Sequence, residues 1–367
     1  VFEKYRSLRD DINRELEMFL TKKEKSSDPL LSEYFSDIKD HVMHGGKRLR
    51  PMCMVYGFAS LEEEKERIIP PSISCELVHS ASLILDDAMD EDVVRHGKTT
   101  FNAIYADRCL RALNFDLDAY KDGREWINKR SIMHLFNLQR IIFRYSYGIS
   151  VLASNFMYAM SEEALLESDF VQEKKMHALD LHRRMYLELN EGQLTDIFFE
   201  NKRCCEEEYF NMILKKTGIL FIYPIRIGLL FADAPDCTML DGYSRPMSQS
   251  FQIRDDILGT FGETTGKPQD SDIKEGKRTL LVIKAYEDAD ESEKERLDAV
   301  LGDKYSTKDD VNDIKGIFKD TGAFDYCEEK GKSLNCEAKE FLERIGISYE
   351  SKEFFCELAD YVIEREM

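Results

Sequence analysis

Along most of this chain the apolar residues recur three and four apart, the period of helices that bury one side. Val171 to Phe199 is representative, with Met176, Leu179, Met185, Leu189 and Ile197 falling near one side. Alternating strand-like runs are nearly absent. Breaks fall at Ser26-Ser27-Asp28-Pro29, Gly45-Gly46, Pro70-Pro71, Gly123, Asp233 to Pro235 and Gly262 to Gly276. They divide the pattern into roughly a dozen helices of ordinary length. The pattern predicts an all-α protein with no internal repeat and no domain linker. The stretch from about Asp107 to Arg144, charged and aromatic, reads as an inserted helical hairpin. It carries the single tryptophan, Trp126.

Composition narrows the class. The 367 residues are 43% hydrophobic, enough for a sizeable core. The net charge of −20 argues against a nucleic-acid binder, which needs a basic face. A local basic cluster in an acidic protein can still hold an anionic small substrate. The nine cysteines include no CxxC, and Cys204-Cys205 is poorly placed to bridge, so they read as free thiols in a reducing compartment. Val1 to Leu20 is charged throughout and does not read as a signal peptide. The most apolar stretch, Gly218 to Ala232, contains Pro224 and Arg226 and reads as a buried core helix rather than a membrane span. The expectation is a cytoplasmic protein with no transmembrane segment.

Three elements carry candidate chemistry. Asp86-Asp87-Ala88-Met89-Asp90 ends an apolar run. On a helix Asp86 and Asp90 share a face, and two like charges that close repel unless a cation sits between them. Oxygen-only ligation of this kind suits Mg²⁺ shared with a phosphate group. A solvated acidic helix end would look the same. Asp255 and Asp256, in Phe251-Gln252-Ile253-Arg254-Asp255-Asp256-Ile257-Leu258-Gly259, form a second carboxylate pair, for which the plain alternative is an N-terminal or loop-proximal acidic pair. Gly45-Gly46-Lys47-Arg48-Leu49-Arg50-Pro51 is a tight turn with three cations pointing from it. Lys47 and Arg50 lie three apart, placed to grip one anion. Arg95, His96 and Lys98 add a second basic patch. Together the three elements suggest two diphosphates bound side by side, one through metal and one by side chains.

In order and spacing these motifs resemble the trans-polyprenyl diphosphate synthases, geranylgeranyl-type members with archaeal-type motifs, over nearly the whole chain. The resemblance implies an isoprenoid-synthase helical bundle around a deep central cavity. It implies a homodimer and Mg²⁺ as cofactor. It also implies the joining of isopentenyl diphosphate to an allylic prenyl diphosphate. By position, Asp86, Asp87 and Asp90 match the first aspartate-rich motif, and Asp255 and Asp256 the second. Asp86, Asp90, Asp255 and Asp256 are then the metal ligands. Lys47, Arg50 and His79 match isopentenyl diphosphate positions, and Arg95 an arginine on the allylic diphosphate. Lys216, Thr217, Gln252, Lys267 and Lys277 match further diphosphate-facing or cation-facing positions. Gly192-Gln193 with Asp196 matches a central-helix segment.

The sequence departs from the family pattern in four places. His96 replaces an arginine, so its charge would follow pH. Gly259 replaces the last aspartate of the second motif. Leu85 stands where a histidine is usual. The stretch from about 102 to 146 is longer than the family's connection. Chain-length control is expected at Val78, Ala81 and Ser82, one and two turns before Asp86 on the tail side. Their small size leaves room for a geranylgeranyl or longer product, unless Phe156 or Tyr158 supplies a floor from another helix. Two other readings remain: a class I terpene cyclase, which would not need the Gly45 to Pro51 segment, and a non-catalytic subunit of a heteromeric synthase, which would tend to lose its aspartates.

Overall fold

The computed structural model describes residues 2–95, 97–113, 129–200, 202–262 and 270–364. It is helical nearly throughout, with α1 Arg6–Ser26, α2 Pro29–Met43, α3 Leu49–Phe58, α4 Ile69–Met89 and α5 Phe101–Ala112. There follow α6 Lys129–Leu166, α7 Gln172–Glu200, α8 Glu206–Ile213, α9 Ile219–Phe231 and α10 Asp241–Phe261. The chain ends with α11 Ser271–Glu275, α12 Leu280–Asp288, α13 Glu291–Val300, α14 Lys308–Asp320, α15 Ala323–Arg344 and α16 Tyr349–Glu364. Among the described residues the one sheet is a hairpin, β1 Val94–Arg95 with β2 Lys98–Thr99, paired Val94 to Thr99 and Arg95 to Lys98.

Contacts divide the chain into two compact units, residues 1–76 with 161–367, and residues 77–160. In the larger unit one core gathers Tyr209, Met212, Ile253, Ile257, Leu281, Ile314 and Phe318, from α8, α10, α12 and α14. A second gathers Met54, Phe58, Ile227 and Phe231 from α3 and α9 with Leu165 and Ala178. In the smaller unit Phe101 and Tyr105 are buried, with ring centroids 5.0 Å apart.

The helix breaks fall largely where the sequence puts them. Ser27 and Asp28 separate α1 from α2, and Gly45 and Gly46 follow α2 with φ of 83° and 93°. Pro70-Pro71 is different: it lies in the first turn of α4 rather than ending a helix. First-turn amides have no intrahelical acceptor, so proline costs nothing there. The apolar stretch expected to be a core helix is α9, with Pro224 inside it and nearly every residue buried. The long helix α7 matches the expected one, but Met176 is exposed while Met185 and Leu189 are buried. Nine residues at 100° each put Met176 opposite Met185.

Among the described residues one segment, Lys65–Met89, has the length and composition to cross a membrane, and 67% of its most apolar window is buried. Helices α5 and α6 cover both flanks of the expected insertion. Residues 114–128 within it, with Trp126 and Gly123, lie outside the described residues. All nine cysteines are free thiols, including the adjacent Cys204 and Cys205.

Candidate active site

In the smaller unit, α4 delivers its carboxylates at its C-terminal end. Its half-buried positions include His79, Ser82, Leu83 and Asp86, with half-buried Asp90 one residue past its end, while Val78, Ala81, Ile84, Asp87 and Ala88 are buried. The first set is spaced three and four apart, one stripe of the helix. Of the three expected chain-length positions, Ser82 therefore has accessible surface, and Val78 and Ala81 are packed inside. The Ser82 hydroxyl donates back to the His79 carbonyl at 2.7 Å.

The short hairpin folds Arg95 back onto this helix end. Its Nε donates to Asp87 Oδ1 at 2.5 Å and its Nη2 to Asp86 Oδ2 at 3.1 Å. Burial pushes the Asp87 carboxyl up to about 6, against the pull of the Arg95 guanidinium. Asp87 Oδ2 is buried with no hydrogen-bond partner. A carboxylate oxygen of Asp90 lies within 4.8 Å of one from Asp92. Crowded carboxylates facing one guanidinium, with a buried oxygen left over, have the donor set of a hard divalent cation site. Gly97 makes the hairpin turn at φ 74°. His96 lies outside the described residues.

In the larger unit, Asp255 and Asp256 sit in the last two turns of α10, on a helix and not in a loop. Asp255 is exposed and Asp256 buried. Tyr209 donates its hydroxyl to Asp256 Oδ2 at 2.7 Å, and Gln252 its amide to Oδ1 at 2.8 Å. Burial drives the Asp256 carboxyl well above the usual range. The nearby Asp272 adds to this, and the two donors oppose it. A Cβ on Gly259 would lie 2.7 Å from Asp272 Oδ2, so a carboxylate from α11 already crowds the place where the motif's last aspartate is missing.

The lysines expected near the diphosphates come from an irregular turn. Leu214–Gly218 is a π-turn between α8 and α9. Within it Lys215 pairs with Glu191 at 2.7 Å and Lys216 with Asp196 at 2.6 Å. Lys277 reaches the same Asp196 oxygen at 3.2 Å and Glu200 at 3.0 Å. Gly192 lets α7 cross this turn, since a Cβ there would stand 2.3 Å from the Lys216 amide nitrogen. The neighbouring Gln193 is half-buried on the same helix. Thr217 donates its hydroxyl to Gln252 Oε1 at 2.6 Å. Lys267 lies outside the described residues.

The basic turn splits by role. Arg48 does not point outward with its neighbours. It is buried at φ 56° and donates to Glu76 at 2.5 Å, to Asn13 at 2.8 Å and to the Val42 carbonyl at 2.9 Å. Lys47 is exposed and rests on Tyr361, its ammonium contacting the hydroxyl and standing 4.1 Å from the ring centre. The Arg50 guanidinium lies over Phe221 at 4.6 Å and Phe251 at 5.6 Å.

The model of the family described as polyprenyl synthetase matches residues 32–318. The chain belongs to the polyprenyl synthetase family. It is 32% identical over 333 residues to a geranylgeranyl pyrophosphate synthase of Geoglobus acetivorans, covering 89% of each. It is 32% identical over 339 residues to a geranylfarnesyl diphosphate synthase of Aeropyrum pernix, covering 88% of this chain and 92% of that one. A solved geranylgeranyl pyrophosphate synthase from Corynebacterium glutamicum, complexed with isoprenyl diphosphate and magnesium, superposes with a TM-score of 0.86 at 25% identity. The match covers all of both chains. This polyprenyl synthetase is therefore a prenyltransferase of isoprenoid biosynthesis with the all-α isoprenoid-synthase fold.

Beside the residues the motifs announce, the site holds others that no local pattern marks. Tyr209 is 47 positions from the Asp256 it supports, and Glu76 is 28 from Arg48. Glu200 was legible only as the next turn of α7 after Asp196. Tyr361 comes from the last helix.

Proposed function

We propose that this enzyme joins isopentenyl diphosphate to an allylic prenyl diphosphate, making geranylgeranyl diphosphate or a longer all-trans product, with Mg²⁺ as cofactor. The observation that supports this most directly is the end of α4, where Asp86, Asp87 and Asp92 surround Arg95 and an Asp90 carboxylate oxygen lies within 4.8 Å of one from Asp92. Asp86 and Asp90 are assigned to metal in the smaller unit and Asp255 in the larger, on the all-oxygen donor set and their accessible surface. Magnesium bound there would neutralise diphosphate charge and so improve it as a leaving group.

The remaining roles belong to side chains of this chain. Lys47, Arg50 and His79 are assigned to the diphosphate of isopentenyl diphosphate. Lysine serves as a point charge, arginine as a planar fork stiffened by the rings beneath it. Lys216 and Lys277, held by Asp196 and Glu200, are assigned to the departing allylic diphosphate, with Lys267 alongside them by resemblance. Arg95 would exchange carboxylate partners for phosphate oxygens, with His96 beside it by resemblance. As the allylic C–O bond breaks, the double bond of isopentenyl diphosphate attacks the allylic carbon, and the departing diphosphate accepts the proton lost. The cation would need apolar walls that exclude water. The decisive experiment is incubation with labelled isopentenyl diphosphate, farnesyl diphosphate and Mg²⁺, with products separated by length. No uptake of label sinks the reading.

Product length is assigned to the half-buried stripe of α4. Ser82, one turn before Asp86, is small, so a growing tail is not stopped there. Ser82→Phe should move the main product to farnesyl length while the first condensation continues, read by reversed-phase chromatography. Ala81→Phe should have a smaller effect on length and a larger one on stability, because overpacking a buried site costs about 1–3 kcal/mol. A wild-type enzyme that stops at farnesyl diphosphate would end this account.

The homodimer is proposed to form through α6. Ile141, Tyr145, Leu152 and Phe156 are 42%, 43%, 53% and 39% exposed at helical spacing, an apolar stripe suited to a second copy. Leu152→Glu should turn a dimer into a monomer in light scattering, and an unchanged mass would exclude this face. A cytoplasmic setting is proposed on the strength of the nine free thiols.

A further inference from the structure

The lysines assigned to diphosphate differ in what holds them. Lys216 and Lys277 are held by the carboxylates of Asp196 and Glu200. Lys47 is held by an aromatic side chain. Its ammonium stands 4.1 Å from the centre of the Tyr361 ring and donates to the hydroxyl. Among the described residues no carboxylate lies within ion-pair reach of Lys47. Arg50, on the same turn, also lies over rings, those of Phe221 and Phe251.

Tyr361 reaches Lys47 because α16 runs back along α3. Ser348 donates its amide to the Ser60 carbonyl at 3.0 Å, and Ser351 its hydroxyl to the Tyr56 carbonyl at 2.8 Å. Phe354 stacks on Tyr56 with ring centroids 4.1 Å apart. Ser351, Phe354, Leu358 and Tyr361 are spaced three and four apart, one stripe of α16. The first three are buried, and Tyr361, at the end of the stripe, is half-buried beside exposed Lys47. Helix α10 locks α16 from another side, where Tyr243 donates its hydroxyl to the Phe355 carbonyl at 2.7 Å. The core therefore fixes the helix that carries the ring before any ligand arrives.

We propose that Tyr361 is a positioning residue whose ring holds the Lys47 ammonium ready for the diphosphate of isopentenyl diphosphate without cancelling its charge. This rests on the reading that assigns Lys47 to that diphosphate. A lysine on its flexible stem loses rotamer entropy when it meets an anion, and a support that orders it beforehand reduces that loss. A carboxylate would also order it, but would bring negative charge that repels the incoming diphosphate. An aromatic face attracts a cation through its quadrupole and carries no net charge. The ammonium has three donors, and the Tyr361 hydroxyl takes one, leaving two for phosphate oxygens.

The test sets KM against kcat. Tyr361→Leu keeps an apolar side chain and removes the ring. It should raise KM for isopentenyl diphosphate about twofold to thirtyfold, the scale of a lost cation–ring contact, with kcat and the KM for farnesyl diphosphate unchanged. Tyr361→Phe keeps the ring and should recover most of the loss. Tyr361→Glu gives Lys47 a carboxylate instead and should raise KM further than Tyr361→Leu. In a Lys47→Met background Tyr361→Leu should change KM no further, because the group it orients is gone. An unchanged KM in Tyr361→Leu, a loss as large in Tyr361→Phe, a Tyr361→Glu variant that binds better than Tyr361→Leu, or losses that multiply in the Lys47→Met background would overturn the proposal. If Tyr361→Leu does not fold by circular dichroism, Tyr361→Met takes its place. A wild-type enzyme that consumes no isopentenyl diphosphate would fail the prenyltransfer reading instead. Calorimetric titration with inorganic diphosphate in EDTA then decides the role of the ring. Affinity should fall in Tyr361→Leu and in Lys47→Met alike, and equal affinity in wild type and Tyr361→Leu would overturn the proposal.

Discussion

Replacing Asp86 or Asp90 by alanine should lower turnover by about a thousandfold or more, while the circular dichroism spectrum and melting curve stay near wild type. The two effects separate because both side chains are half-buried, Asp86 on the accessible stripe of α4 and Asp90 one residue past its end, outside its packed face. On the metal assignment, removing either takes away an oxygen ligand and leaves the packed face of α4 in place. Asp86→Ala also frees one end of Arg95, which then rests on Asp87 alone among its two closest carboxylate contacts. Asp87→Ala should behave differently: it removes a buried group and should cost stability as well as activity. Turnover near wild type in the Asp86 or Asp90 variant would remove the metal assignment.

The second large effect is on stability. Arg48 and Glu76 have side chains only 3% and 6% exposed, and their ion pair is extended by Asn13 and the Val42 carbonyl. Truncating one partner leaves the other charged and buried, which typically costs about 3–5 kcal/mol. Glu76→Ala should therefore lower the unfolding midpoint markedly in urea. A paired Arg48→Met with Glu76→Leu replacement should recover much of the loss, because it leaves no unpaired charge. Equal midpoints for Glu76→Ala and wild type would show that water reaches the pair and that burial is not the issue. The same pair anchors the turn between Lys47 and Arg50, so the stable double replacement should still bind isopentenyl diphosphate more weakly.

The sequence made the helices and the carriers of chemistry legible because both are local. A period near 3.6 marks α7 and α9, and paired glycines mark the turn before Lys47. The aspartate pairs stand out because like charges so close need a reason. What it could not show is pairing across sequence distance. Three basic residues between positions 47 and 50 look alike as letters, and only the fold buries Arg48 against Glu76. Periodicity gives the face of α4 but not its phase, so Ala81 and Ser82 could not be ranked until burial separated them. Pro70-Pro71 looked like a break because proline breaks helix interiors, and the count of residues before it does not reveal a first turn. Tyr209 carries no motif at all.

The π-turn at Leu214–Gly218 makes this enzyme's reading frame along the helix fragile in one direction. Such a turn holds one residue more than a regular helix needs. Deleting any one of its residues would restore an unbroken helix from α8 through α9 and so improve local hydrogen bonding. The same deletion would rotate everything beyond it by about 100°. A deletion at Leu214 would turn Lys215 and Lys216 away from Glu191 and Asp196, and one at Thr217 or Gly218 would turn α9 relative to them. Length variation among relatives should therefore collect in the loops, and a deletion here should raise the unfolding midpoint while lowering turnover, if the lysines serve the diphosphate as proposed.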